Sequence, residues 1–456
     1  MKDKKALFET GVSTELRAQE NRRRVVVFAQ GNLVQNVRVE ESGVNARVRK
    51  NGLCGFSSSA ECTGEMAEAV LKAATNNAKF MVNHVDKKAI VVPSITGGYV
   101  PYKREIIDTE QKRIIEKAKE LDEYVAKSFP KLISRQVIYS EDSMDKVIYT
   151  SDFCDGHATS PRCYIYVYMT AESAEGKPVD MFRVFGGPGK FDDHFSDIEY
   201  IKPELEKQYN ALMKKCEGVY AEAGLKTVIL DGMMTGMLSH EAVGHTTEAD
   251  LVRGGSVAGP CLNKQVASEK VTMIDFANEA LGETAPLPVY IDDEGVAAKD
   301  AVIIKDGILT GYMNNRESAA LYGVEPAGNA RAWSFSDEPL IRMRNTAIIP
   351  GKDKLEDMIA SVDDGYYLIN SNNGQADLTG EFMFGVIEGY EIKNGKIGRA
   401  ILDTTVMGVA FDMLKTVDMV SDKITWTSSG MCGKKQPMPV GMGGPALRCK
   451  ITIGGR

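Results

Sequence analysis

Three dipeptides of one kind, Asn51-Gly52, Asp306-Gly307 and Asn394-Gly395, each stand between two apolar or alternating runs. Such a pair accepts positive φ at both positions, and a two-residue turn of that sort joins strands that run antiparallel. The first turn links residues 46–49 to 53–56, the second 301–304 to 308–312, and the third 390–392 to 396–400. Sheet near both ends of the chain is therefore expected to be built from hairpins. Parallel units would need long crossovers in their place.

Helical stripes lie between these runs. Thr63 reads as an N-cap, followed by Met66, Ala69, Val70, Ala73 and Ala74 at helical spacing. A long helix opens with Pro203 in its first turn and closes near Gly224, burying Leu205, Tyr209, Leu212, Met213 and Cys216. Two strands are expected at 136–140 and 146–150. Tyr164, Tyr166 and Tyr168 alternate along a third and read as cross-strand packing. Strands and helices without regular alternation predict an α+β fold. A length of 456 residues exceeds one typical domain. Two domains are expected, 1–220 and 221–456, each with a mixed or antiparallel sheet and packed helices.

The net charge of -8 argues against nucleic acid or an anionic membrane as the main partner. The one basic run, Arg22-Arg23-Arg24, reads as a solvated strand edge. Eight cysteines are present and none forms a C-x-x-C pair. No long apolar run follows Met1 to Lys5, and no stretch has transmembrane length. Free thiols and a cytoplasmic location are the expectation.

The chemistry concentrates in Ser239-His240-Glu241-Ala242-Val243-Gly244-His245-Thr246-Thr247-Glu248-Ala249-Asp250. This stretch holds two of the five histidines. Two imidazoles and an adjacent carboxylate are the parts of a zinc hydrolase: the rings hold the ion and the carboxylate accepts a proton from the attacking water. The spacing is not the usual i, i+4. At i, i+5 a regular α-helix sets the two rings roughly 140° apart. A local π-type widening would realign them, and Gly244 weakens the helix where that distortion is needed. A catalytic zinc takes three protein ligands. The third candidates are Glu248 and Asp250 nearby, or a distant cysteine, Cys432 in its glycine-flanked segment or Cys261.

Four stretches resemble the TldD/PmbA family of metallopeptidases, and its metal-bearing TldD-type branch. They are His240 to Asp250, Asp292-Asp293-Glu294-Gly295, Arg342-Met343-Arg344-Asn345-Thr346, and Cys432-Gly433-Lys434 running on to Pro439-Val440-Gly441 and Gly454-Gly455. Ser42-Gly43-Val44 and residues 51–56 fit more loosely. The resemblance implies zinc held by His240, His245 and Cys432, with Glu241 as general base. It implies cleavage of small or unfolded peptides, and a homodimer or a heterodimer with a related metal-free subunit. The alternative is a non-catalytic peptide-binding or regulatory subunit of a peptide-processing complex. Glycine-rich backbone at Gly254-Gly255 and Gly441 to Gly444 is expected to offer an extended peptide a strand to pair with.

Overall fold

All three X-Gly turns adopt the left-handed pair of conformations, with φ of 48° and 74° at Asn51-Gly52, 47° and 81° at Asp306-Gly307, and 49° and 72° at Asn394-Gly395. A fourth such turn, Gln30-Gly31, precedes them at 52° and 85°. The computed structural model describes residues 8–85, 90, 92–93, 109–152 and 154–454.

The first half is one antiparallel sheet. Its strands are β1 (Ser13–Ala29), β2 (Asn32–Lys50), β3 (Leu53–Ser59), β4 (Ser134–Thr150), β5 (Asp155–Thr159), β6 (Arg162–Glu172) and β7 (Pro178–Pro188). The order is β3-β2-β1-β4-β6-β7, with β5 also on β4. Helix α1 (Gly64–His84) is capped by the Thr63 hydroxyl, which accepts from the Met66 N–H, and it packs Val70, Leu71, Ala74 and Ala78 onto β2 and β3. Helices α2 (Gln111–Ser128) and α3 (Ile201–Cys216) cover the face of β4, β6 and β7 with Ile114, Leu121, Leu205 and Leu212. Tyr168 stacks on Phe182 of the neighbouring strand at 5.0 Å, as a packing role requires.

Three local expectations are corrected here. The run Arg22-Arg23-Arg24 is not an edge, because β1 lies between β2 and β4; Arg24 is buried against Glu141 at 3.5 Å. For the same reason residues 134–150 form one strand and not two. Glu141 and Asp142 stand opposite Arg24 and Arg23, and these facing charges carry the strand through a polar stretch. The long helix stops at Cys216 and not near Gly224. A Cβ at Gly218 would lie 2.7 Å from the Lys215 carbonyl oxygen and 3.0 Å from that of Ala400. The chain turns out there so that the Val219 N–H can donate to Ala400.

The second half contains two larger sheets. In chain order come β8 (Gly224–Leu230), helix α4 (Gly232–Met237), β9 (Met273–Phe276), β10 (Ala301–Lys305), β11 (Ile308–Leu309), β12 (Asn345–Ile348), β13 (Asp364–Ala376), β14 (Glu381–Lys393), β15 (Lys396–Ala400), β16 (Thr404–Val409), β17 (Thr425–Cys432), β18 (Met438–Gly444) and β19 (Leu447–Ile453). One sheet runs β11-β10-β9-β12-β18-β17, with β12 and β18 parallel. The other runs β13-β8-β19-β16-β14-β15, and β13 also pairs β14, so its path closes on itself. The architecture is α+β. Helix α4 and the turns after it are sandwiched between the two sheets, touching β12 and β18 on one side and β13 and β14 on the other.

The two halves meet through charge. Asp293 takes Lys146 at 2.7 Å and Arg17 at 3.2 Å, and Glu294 takes Arg49 at 2.8 Å and also Arg47. The acidic turn at 292–294 is thus a buried counter-ion for cations of the first sheet. No helix among the described residues is long and apolar enough to cross a membrane.

Candidate metal centre

Asp231 ends β8 and starts α4, its carboxylate accepting the Met234 N–H at 2.8 Å. The helix can lie directly on β18 because the facing positions are glycine. A Cβ at Gly232 would stand 2.5 Å from the Gly444 carbonyl oxygen, and one at Gly236 would stand 2.9 Å from the Gly443 nitrogen.

The helix widens after Met237. Residues Leu238–Gly244 form a π-turn, and the His245 N–H donates to the His240 carbonyl five residues back. A Cβ at Gly244 would lie 2.1 Å from the Met343 sulfur and 3.0 Å from the Ser239 carbonyl oxygen. Gly244 therefore does more than loosen the helix: it admits Met343. Widening leaves carbonyls without their usual donors. The Thr246 hydroxyl donates to Val243 at 2.8 Å, and that of Thr247 to Val243 and Gly244 at 3.0 Å each.

The result brings the two rings together, with centroids 5.2 Å apart and planes at 79°. Cys432, at the end of β17, places its sulfur 3.4 Å from His245 Nε2. One donor atom from each of His240, His245 and Cys432 lies within 4.8 Å of the others. His240 is buried, and neither of its ring nitrogens has a hydrogen-bond partner among the described residues. Two uncommitted buried nitrogens are costly unless something binds them. Glu241 flanks the pair, 3.7 Å from His245 Nε2 and 4.0 Å from His240 Nε2, and is partly open to solvent.

Glu248 and Asp250 stand elsewhere. Glu248, fully buried, holds the far nitrogen of His245, Nδ1, at 2.8 Å. Lys434 bridges from Glu248 at 3.2 Å to Asp250 at 3.0 Å and donates to the Ile341 carbonyl at 2.8 Å. A carboxylate on Nδ1 fixes the tautomer and leaves Nε2 to face the donors. Cys261 lies in the short turn Gly259–Cys261 and takes no part in the cluster.

Burial raises the Cys432 thiol, but the imidazoles of His240 and His245 outweigh it and bring it down to about 3. Burial works against a charge on His245, yet Cys432 and Glu248 outweigh it and push the ring up to about 10. The sulfur is poised as the thiolate, the form that ligates metals. Two nitrogens and a thiolate fit a borderline-soft divalent ion and leave a fourth position open.

The residues that position Cys432 were present in the sequence reading without a role. Arg342, fully buried, donates to the carbonyls of Cys432 at 2.7 Å, Lys434 at 3.2 Å and Gln436 at 2.8 Å. Met343 is the residue against Gly244. Arg344 pairs with buried Asp275 at 2.8 Å, and Asn345 accepts the Leu287 N–H at 2.8 Å. An R-x-R-N run between strands was the available signal.

The glycine-rich backbone of Gly441 to Gly444 does not present a free edge. It is buried in β18, paired on both sides. The edge strand is β17, whose Ser428 and Gly430 carbonyls accept from Arg162 at 2.9 and 3.3 Å, with Tyr164 on Ser428 at 2.7 Å. Those two acceptors are spent on the first sheet.

Comparison with known proteins agrees in fold and in family. Models of the PmbA/TldA metallopeptidase match three segments: domain 1 at residues 14–78, the central domain at 104–225, and the C-terminal domain at 223–455. The metalloprotease TldD homologue of Buchnera aphidicola subsp. Schizaphis graminum is 42% identical over 52% of this chain and 49% of its own length. The chain thus spans about half the length of the first curated relatives it matches. A zinc metalloprotease TldD homologue of Saccharolobus solfataricus is 29% identical over 91% of this chain and 90% of its own. The crystal structure of TldE from Thermococcus kodakarensis shares the fold, with a TM-score of 0.77 at 17% identity, covering 99% of this chain and 98% of that one. Fold and cluster describe a two-histidine, one-cysteine centre carried on an α+β scaffold. The chain belongs to the PmbA/TldD metallopeptidase family.

Proposed function

We propose that this chain is a zinc-dependent peptidase acting on small or unfolded peptides, with His240, His245 and Cys432 as ligands and Glu241 as general base. The observation that carries the reading is the convergence of those three donor atoms within 4.8 Å, beside a carboxylate that stands 3.7 Å from one ring and 4.0 Å from the other. The name of the Saccharolobus solfataricus relative supports zinc as the ion. Bound there, zinc would supply Lewis acidity and ease the ionisation of water.

The chain's own groups do the rest. Glu241 accepts a proton from the attacking water and returns it to the leaving amine. Glu248 and Lys434 hold His245 in one orientation. Arg342 holds the segment that presents the sulfur. A subunit pairing, with itself or with a related metal-free chain, belongs to the same reading, as does a cytoplasmic setting.

The test is Glu241→Gln, assayed for metal content and for hydrolysis of unstructured peptides. The variant should retain its metal and lose roughly 10² to 10⁴ in rate. Undiminished hydrolysis would sink the mechanism. A parent protein that holds metal but cleaves no peptide would favour a binding subunit instead.

A further inference from the structure

A cavity of about 470 Å³ lies between the two halves, and none of His240, Glu241, His245 and Cys432 lines it. This is the size of a small-molecule site. Its mouth is marked by the exposed Pro188 and Tyr290. Its walls are apolar in part, through Leu287, Val289, Ile291 and Pro439, and its charged lining groups are Lys146, Arg162 and Arg331 with Asp292 and Asp293.

The charges do not balance. Arg162 has its own carboxylate, Asp142, at 2.8 Å. Lys146 shares Asp293 with Arg17, at 2.7 and 3.2 Å. Arg331 is buried and spends its hydrogen bonds on the carbonyls of Met343 at 2.7 Å and Pro439 at 2.8 Å; no carboxylate among the described residues forms an ion pair with it. The neighbouring Arg342 is likewise bonded to carbonyls alone. Asp292 accepts the N–H groups of Glu294, Val296 and Ala330 at 2.9 to 3.0 Å. Burial and the nearby Glu294 raise its carboxyl, against the pull of those three N–H groups. His157 is held by Asp145 at 2.6 Å. The Thr159 hydroxyl, also in the lining, has no hydrogen-bond partner in the described structure.

A buried guanidinium whose hydrogen bonds go to carbonyls, with Asp293 and Asp275 near it but outside ion-pair distance, can still take an anion beside the cavity. The planar fork of arginine suits a carboxylate in particular. The apolar walls suit a short hydrocarbon body attached to it. We propose that this cavity binds a small carboxylate with a short apolar body, its charge met by Arg331 and its hydrocarbon part by Leu287, Val289 and Ile291. The group could be the C-terminal residue of a peptide or a free short-chain acid, and the two are separated by experiment.

Calorimetric titration of the whole chain with N-acetyl-leucine, N-acetyl-leucine amide and hexanoate makes that test. Saturable one-to-one binding of an acid, with the amide at least tenfold weaker, is expected. A preference for N-acetyl-leucine would identify a peptide terminus, and a preference for hexanoate a free acid. Arg331→Gln should weaken binding at least tenfold. Val289→Trp, which fills the cavity without removing a charge, should abolish it, so a folding defect in the first variant does not decide the matter. Cys432→Ser should bind as the parent does. No saturable binding of either acid, equal binding of the amide, or loss of binding in Cys432→Ser but not in Val289→Trp would overturn the proposal.

Discussion

The backbone N–H of His245 donates to the carbonyl of His240, and this single five-residue hydrogen bond is what turns two helix histidines into neighbours. In a regular helix the rings would diverge. Here one extra residue in the turn returns them to one side, with Gly244 as the residue that lets the widened turn pack.

Gly244→Ala should therefore damage the centre from a distance of one residue. The added methyl meets the Met343 sulfur, and overpacking of this kind costs about 1–3 kcal/mol. Reduced melting temperature and reduced metal content are expected together. Adding Met343→Ala should restore most of both. If the double variant is no better than the single, the contact with Met343 is not the reason for the glycine.

Cys432→Ser should lower metal content sharply, since it replaces a thiolate by a neutral hydroxyl. Cys261→Ser and Cys449→Ser should leave it unchanged; Cys449 is buried in β19 and burial pushes its thiol up to about 12. Elemental analysis of the three purified variants checks this. Equal metal in all three would return the third ligand to a carboxylate.

Glu248→Ala removes the acceptor on His245 Nδ1 and should weaken metal binding by roughly 10- to 100-fold. Glu248→Gln, which keeps an acceptor, should lose less. Competition with a chelator of known affinity reads the difference. Identical losses would mean that the charge of Glu248, and not its hydrogen bond, is what matters.

Asp231 gives a pH signature. Burial raises its carboxyl to about 6, against the pull of the N–H groups of Met234 and Asn370. The folded state therefore keeps a proton that the unfolded chain releases nearer 4. The stability this contributes is full below that lower value and is lost as pH rises through about 6. Asp231→Asn keeps the capping oxygen and removes the titration. Melting temperatures of parent and variant should diverge between pH 4 and 7, with the variant the more stable at pH 8. Parallel curves would contradict the assignment.

Local features were legible in the sequence, and distant ones were not. The X-Gly turns, the Thr63 cap and the widened turn at Gly244 each depend on residues a few positions apart. Arg24 was read as solvated because its partners, Glu141 and the backbone near Thr109, lie far along the chain. The burial of the acidic turn at 292–294 was not legible for the same reason: the arginines that Glu294 meets are 245 to 247 residues away. The role of Arg342 was hidden because it binds carbonyls, which every residue has. At the centre, spacing alone left Cys432 and Cys261 level; the resemblance favoured Cys432, and the strand ending there brings its sulfur to the histidines.

That acidic turn also bears on how such a chain can change over time. Cut at residue 220, the second half would keep Asp293 and Glu294 in its interior without Arg17, Arg47, Arg49 and Lys146. The first half would lose the carboxylates that meet Arg17, Arg49 and Lys146, and Arg47 would keep only Glu15. Neither piece is a module that can be exchanged on its own, because each supplies the neutralising charges of the other. Shuffling this second half onto another partner would require the recipient to present basic strand residues at the same four places.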